Sequence, residues 1–316
     1  MRLLLFGCGD FGLPTFEALA QHHDIVVVIS QPDRPAGRKR VITPTPIAAW
    51  AQAHHLPVHK VDQVNTPQFI DIVRASRADA SVVIAFGQKL PPQLIDAMGK
   101  LAINLHASLL PKYRGAGPIN WAMIRGEHTT GVAVIGLAQQ MDAGDVYARV
   151  SLPIDPNETA GELHDRLAAL GPAVVQMVLD DLERAALKPQ PQDHAQATTA
   201  PKLKKADGTV DFNQPAECVR ARIHGLTPWP GCRVRQVTQQ TNESHTLALL
   251  RAKDDPGASH DVAPGTLLND YRVACASGTV QLLEVQPPGK PVMSADAFAR
   301  GHAMHAGDQL LALHVG

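Results

Sequence analysis

Cysteine is scarce and unpatterned. Cys8, Cys218, Cys232 and Cys275 are the only four, with no CxxC pair and no regular spacing. That gives no sign of a disulfide framework, and reduced thiols in a cytosol are the expectation. Long apolar runs are also missing. Nothing approaches the ~20 apolar residues of a membrane helix, and the opening MRLLLFGCGDFG is too short for a signal peptide. A cytoplasmic chain without membrane contact is expected. Neither charge sign is in excess: net charge is −1, with 20 basic and 19 acidic residues up to residue 206, then 9 and 11. Bulk electrostatics therefore offers no general attraction for nucleic acid. Histidine is plentiful but not grouped as ligands. His22-His23 and His54-His55 are adjacent pairs that would not face one site on a helix, and His302-Ala303-Met304-His305 has no partner set. No metal is expected.

What is present is enough for a large core: 316 residues at 45% hydrophobic content, a length more comfortable as two domains than one. Buried-looking strands at Leu3 to Phe6, Ile25 to Ser30, Ala80 to Ala85 and Leu101 to His106 alternate with helical patterns. Two further strands, Val132 to Ala138 and Val146 to Leu152, precede a long helical pattern from Glu162 to Ala185. Such alternation predicts an α/β, doubly wound, mostly parallel Rossmann-like sheet. Lys188 to Ala200 is rich in Pro, Gln and Thr and lacks apolar periodicity, which reads as a linker. Beyond it, a helix near Ala216 to His224 and short strand-like runs punctuated by Gly and Pro predict a small OB-like β-barrel domain. The expected boundaries are 1–188, a linker at 189–206, and 207–316.

The most informative run is LAINLHASLLPKYR, from Leu101 to Arg114. Alternation along a strand points Asn104 and His106 the same way, at a C-terminal strand edge, where open α/β sheets bind ligands. Met141-Asp142-Ala143-Gly144 offers a carboxylate, Asp142, to orient the imidazole. Amide, imidazole and carboxylate form a plausible kit for acyl transfer. A rival reading rests on Gly7-Cys8-Gly9-Asp10-Phe11-Gly12, a literal GxGxxG between strand and helix, with Asp33 near the position of a ribose-binding acid. Glycines also make the first βα turn tight whatever the ligand. Asp33 opens an Arg-rich loop instead of closing a strand, and the chemistry-bearing residues fall after residue 100. The dinucleotide reading loses.

These residues resemble the folate-dependent formyltransferase family through Asn104-Leu105-His106, Ser108-Leu109-Leu110-Pro111 and Met141-Asp142-Ala143-Gly144. Gln31-Pro32-Asp33-Arg34-Pro35-Ala36-Gly37-Arg38 and Thr43-Pro44-Thr45-Pro46 narrow the resemblance to the branch that formylates methionyl-tRNA. Pro228-Trp229-Pro230-Gly231 and Gly289-Lys290-Pro291-Val292-Met293-Ser294 resemble landmarks of that branch's C-terminal barrel. The resemblance covers essentially the whole chain. It implies formyl transfer from 10-formyltetrahydrofolate, as co-substrate, to the amino group of methionyl initiator tRNA. It also implies catalysis by Asn104, His106 and Asp142, the first two stabilising the oxyanion and the third governing protonation. Direct transfer needs no covalent acyl-enzyme, so the absence of a G-x-S-x-G elbow is no objection. By the same resemblance, folate is held by Phe86, Gly87, Gln88, Lys89 and Leu90, largely through backbone, with Ser108, Leu109, Leu110 and Pro111. The loop cations Arg34, Arg38, Lys39 and Arg40 are expected to grip the tRNA, with Arg38 the foremost contact, and Lys204 and Lys205 to assist. A positive stripe at the start of the second domain, adding Lys202, Arg220, Arg222, Arg233 and Arg235, stands level with ordinary surface charge. The chain is expected to act as a monomer. Two alternatives remain: a formyltransferase of the same fold acting on an amino-sugar nucleotide, and an RNA-binding protein with an inactive enzyme domain.

Overall fold

The computed structural model describes residues 1–37, 39–238, 244–301 and 304–313. The chain divides into two compact units. The first comprises Met1–Gly115, Gly131–Leu152 and His164–Thr199, and the second Ala116–Thr130, Pro153–Leu163 and Ala200–Gly316.

The first unit is built on strands β1 (Arg2–Gly7), β2 (Asp24–Ser30), β5 (Val58–Lys60), β6 (Ala80–Ile84), β7 (Leu101–His106), β8 (Thr129–Gly136) and β9 (Val146–Pro153). They form one seven-stranded sheet in the order β5-β2-β1-β6-β7-β8-β9. The first five run parallel, and β8 turns antiparallel to β7, with His106 opposite Ala133. Leu3, Leu4, Leu5 and Phe6 are all inaccessible to solvent, as expected of a parallel strand covered on both faces. Helices α1 (Leu13–His22), α2 (Pro46–Ala53), α3 (Pro67–Ala75), α4 (Pro92–Ile95) and α7 (Gly171–Glu183) connect or cover these strands. α2 and α3 start alike: Thr45 and Thr66 accept a hydrogen bond from the third amide beyond them, and proline follows at the first helical position.

Three elements depart from the sequence reading. The long loop after β2 contains a small antiparallel hairpin, β3 (Arg34–Ala36) and β4 (Val41–Thr43). The helical pattern expected from Glu162 to Ala185 divides into α6 (Ala160–Ala168) and α7, because Pro172 cannot supply the amide that a continuous helix needs and instead starts a new one. Helix α5 (Pro118–Ile124) was not expected. It is only seven residues long, and its packing on α8 (Ala216–Gly225), with the Asn120 amide donating to Gly225 O at 2.8 Å, is invisible to local pattern.

The second unit holds an antiparallel sheet in the order β12-β13-β11-β10-β15, where β10 is Cys232–Val237, β11 Ser244–Asp255, β12 Arg272–Ala274, β13 Thr279–Gln286 and β15 Gln309–Ala312; β14 (Met293–Ser294) pairs with β13 and precedes α9 (Ala295–Gly301). The segment Gly265–Leu267 exchanges backbone hydrogen bonds with Ala274 beside one edge and with Asp308 and Leu310 beside the other. The sheet is thereby curled round a core that includes Val219, Ile223, Leu247, Leu249 and Val285.

His224 in that core gives the unit a pH signature. It is fully buried, and its Nε2 accepts from the Ala252 amide at 3.0 Å. Burial first, then the nearby Arg220 and Arg251 charges, pull its pKa down from 6.5 to about 4. Below pH 6.5 the unfolded chain takes up a proton that the folded chain refuses, so this stability is present above pH 6.5. It is lost as pH falls towards 4, by about 3 kcal/mol. Urea denaturation at pH 7 and pH 4.5 should show the loss, and His224→Gln should flatten it. Glu162, held at about 2 chiefly by its hydrogen bond from Arg251, titrates in a lower window, from 4.5 downward.

Candidate active site

The parallel strands β1, β2, β6 and β7 all end at one edge of the sheet, with β1 lying between β2 and β6. That places the Cys8–Gly12 turn, the β3–β4 hairpin, the segment after Ile84 and the run from Asn104 to Gly115 along the same edge, beside the topological switch between β1 and β6. Gln31 Nε2 (2.8 Å) and Cys8 Sγ (3.2 Å) both donate to Phe86 O, tying three of these segments together.

His106 is buried at the end of β7, and its Nε2 lies 2.9 Å from Tyr113 O. A carbonyl only accepts, so Nε2 carries the proton and Nδ1 is the nitrogen left for chemistry. Nδ1 lies 3.7 Å from Asp142 Oδ2. That is beyond hydrogen-bond range, so the ring is oriented by Tyr113 O, while Asp142 stands by as a nearby charge. Asp142 occupies left-handed backbone at φ 54°, which aspartate tolerates, and its Oδ2 accepts from the Gly115 amide at 2.8 Å. Tyr113 and Gly115 therefore hold the imidazole and the carboxylate from one short stretch of chain. Asn104 lies two residues before His106, on the same face of β7. Its half-buried carboxamide has no side-chain hydrogen bond among the described residues. Its amide donor is unengaged among the described residues.

The expected folate contacts divide by what their side chains already do. Phe86 is buried edge-on against Phe6, Leu90 is buried, and Leu110 belongs to a small cluster with Ala133, Ile135 and Val146. Ser108 is buried and donates to Lys112 O at 2.7 Å. Gln88 spans Val61 O and the Val64 amide. Gly87 and Lys89 are exposed, and Leu109 and Pro111 are half-buried. Apart from the exposed Lys89 side chain, backbone from Gly87 onward is thus the part of Phe86–Leu90 open to a ligand.

Two glycines of the first turn are required by packing within the protein. A Cβ on Gly7 would strike the Phe16 ring at 2.6 Å, and one on Gly12 would press on Ile84 at 3.3 Å. Those two glycines admit the protein's own side chains. Asp33, the rival reading's ribose acid, is paired with Lys60 at 2.6 Å.

On the hairpin, Arg34 makes an exposed ion pair with Asp62 at 3.8 Å, and Lys39 and Arg40 are exposed in the turn. Val41 and Ile42 are 59% and 63% exposed. Arg38 lies outside the described residues. In the second unit Arg220 pairs with Asp254 at 2.7 Å, and Arg222 donates to the Asp207 and Thr209 carbonyls. Those two cations of the expected stripe are already occupied. Lys202, Lys204, Lys205, Arg233 and Arg235 stay exposed, without side-chain ion pairs among the described residues. No group of three metal-ligating side chains, and no helix long and apolar enough to cross a membrane, occurs among the described residues.

Comparison with known proteins gives the family. Residues 1–179 match the family described as formyl transferase, and residues 202–303 match its C-terminal domain. The class is therefore formyl transferase. A methionyl-tRNA formyltransferase from Heliobacterium modesticaldum is 39% identical, over 97% of this chain and 99% of that one. Its counterpart from Moorella thermoacetica is 38% identical over 98% and 99%. The chain belongs to the methionyl-tRNA formyltransferase family. Among solved structures, the sugar 3N-formyl transferase WlaRD superposes with a TM-score of 0.63 at 14% identity, covering 92% of this chain and 99% of that one. HypX from Aquifex aeolicus in complex with tetrahydrofolic acid gives 0.59 at 16%, covering 94% of this chain and 46% of the longer HypX. These two likenesses are of fold.

Proposed function

We propose that the chain transfers the formyl group of 10-formyltetrahydrofolate to the α-amino group of methionyl initiator tRNA, for translation initiation. The observation that carries this reading is identity of 39%, along virtually the whole chain, to a relative named methionyl-tRNA formyltransferase. The placing of Asn104, His106 and Asp142 at one sheet edge supports it.

The co-substrate supplies an activated formyl carbon; the chain's residues do the rest. As the amine attacks, negative charge grows on the formyl oxygen, and the Asn104 amide donates to it. His106 Nδ1 takes part in moving the amine's proton, and as an imidazolium it donates to the same oxygen. The Asp142 carboxylate offsets the charge that arrives on the ring and passes the proton on through water. The bond from the formyl carbon to the folate nitrogen then breaks, and that nitrogen is reprotonated. The donor fits the open backbone of Phe86–Leu90, where Gly87 is exposed at φ 81°, with Leu109 and Pro111 alongside.

The hairpin grips the acceptor end of the tRNA. Arg34, Arg38, Lys39 and Arg40 would reach phosphates, which fix position without reading sequence. Val41 and Ile42 present apolar surface beside them. Lys204 and Lys205, with Arg233 and Arg235, would hold the tRNA body on an OB-like barrel spanning 207–316, which follows a catalytic domain of 1–188 and the intervening segment 189–206. The enzyme works as a cytoplasmic monomer.

Formylation assayed with methionyl initiator and methionyl elongator tRNA tests this. Transfer to the initiator alone is expected. Absence of transfer to either, with folate still bound, would move the acceptor to an amino-sugar nucleotide.

A further inference from the structure

The segment 190–199 reads as a linker in the sequence, yet it is sewn into the first unit. Gln190 exchanges both backbone hydrogen bonds with Val146, at 2.8 and 2.9 Å. Thr198 receives the Tyr113 amide on its hydroxyl at 2.9 Å and the Arg114 amide on its carbonyl at 2.8 Å. Between these anchors, Gln192 is only 6% exposed. Its Nε2 donates to Asp142 O at 2.9 Å and to Gly144 O at 2.7 Å. Its Oε1 accepts from Arg114 Nε at 3.2 Å and Nη2 at 2.8 Å. The assignment is unambiguous, because a guanidinium only donates and a backbone carbonyl only accepts. Arg114 Nη2 also lies 3.0 Å from His194 Nδ1.

We propose that Gln192, fixed by Arg114, is a positioning residue that holds the Asp142 loop at the reaction site. The two carbonyls it clamps belong to Asp142 itself and to Gly144, two residues on in the same turn. The strap that brings it there also braces Tyr113 and Arg114, the stretch whose Tyr113 carbonyl orients His106. One strand of chain thus sets both groups against each other. Side-chain amides suit this work, since a single planar group offers two donors to one loop while accepting from the guanidinium behind it. The inference rests on the catalytic reading of Asp142 and adds the residue through which the loop is held.

Gln192→Glu tests it with almost no change of shape. The carboxylate keeps its Arg114 partner but cannot donate, and it sets charge against the Asp142 and Gly144 carbonyls. The full chain should lose about 30- to 100-fold in kcat, because an error of about 1 Å in a reacting group is worth that much. KM for the formyl donor and for methionyl initiator tRNA should stay within about 3-fold of wild type. Gln192→Met, which keeps the volume and loses every hydrogen bond, should repeat the kcat loss. Combining Q192E with Asp142→Asn should add little to D142N alone, since residues in one network act as a unit. Near-wild-type kcat in both Gln192 variants, or a Q192E loss that multiplies in full on D142N, would overturn the proposal. Wild-type kcat in D142N itself would instead remove the catalytic reading beneath it, so the two failures are separable.

Discussion

Asn104→Ala lowers kcat by about 100- to 1,000-fold, the loss expected from removing one preorganised oxyanion donor. The carboxamide makes no side-chain hydrogen bond among the described residues, so its removal breaks nothing in the resting fold. The thermal midpoint and KM for the formyl donor should therefore stay close to wild type, with the loss concentrated in the chemical step. Single-turnover transfer to methionyl initiator tRNA at saturating donor measures that step directly. Asn104→Asp sharpens the result. It keeps the size and places an acceptor where charge develops, so it should be at least as damaging as alanine. An alanine variant within about 3-fold of wild type would assign the oxyanion to other donors.

What could be read in advance followed from how local each feature is. The parallel strands announce themselves because burial on both faces demands runs such as Ile25–Ser30 and Ala80–Ile84, and strand alternation alone places Asn104 beside His106. The hairpin after β2 hides because its hydrophobic residues, Val41 and Ile42, point to solvent and leave no core-facing period. The brace hides more completely. Gln192 sits among Pro, Gln and Thr, a composition shared with flexible linkers, and its partners lie 78 residues earlier at Arg114 and 50 residues earlier at Asp142. No window along the chain contains that contact. A different limit hides the imidazole's partner: the chemistry of amide, imidazole and carboxylate pairs His106 with the distant Asp142, whereas the backbone carbonyl of Tyr113, seven residues on, orients the ring. A carbonyl has no sequence signature.

Gly144→Ala is expected to cost about 100-fold in kcat, through the same loop but by a different cause. A Cβ at Gly144 would fall 1.9 Å from Gly136 O and 2.8 Å from Gly136 C. Ordinary contact needs about 3.5 Å, and the obstacle is backbone at the end of β8, which cannot rotate away as a side chain would. The Gly136 amide also donates to Asp145 O at 2.9 Å, so opening the gap breaks that hydrogen bond as well. The loop must move off Gly136, which disturbs its register with the Gln192 donor and with the Gly115 amide that holds the Asp142 carboxylate. A displacement near 1 Å suffices for the predicted loss. Donor binding should change little, because the Phe86–Leu90 backbone belongs to β6's end and not to this loop. Gly301→Ala is the matched control: a Cβ there meets nothing within 4 Å at the end of α9. It should leave kcat unchanged. If Gly144→Ala did the same, the loop would be tolerant of displacement, and the close backbone approach would serve packing alone.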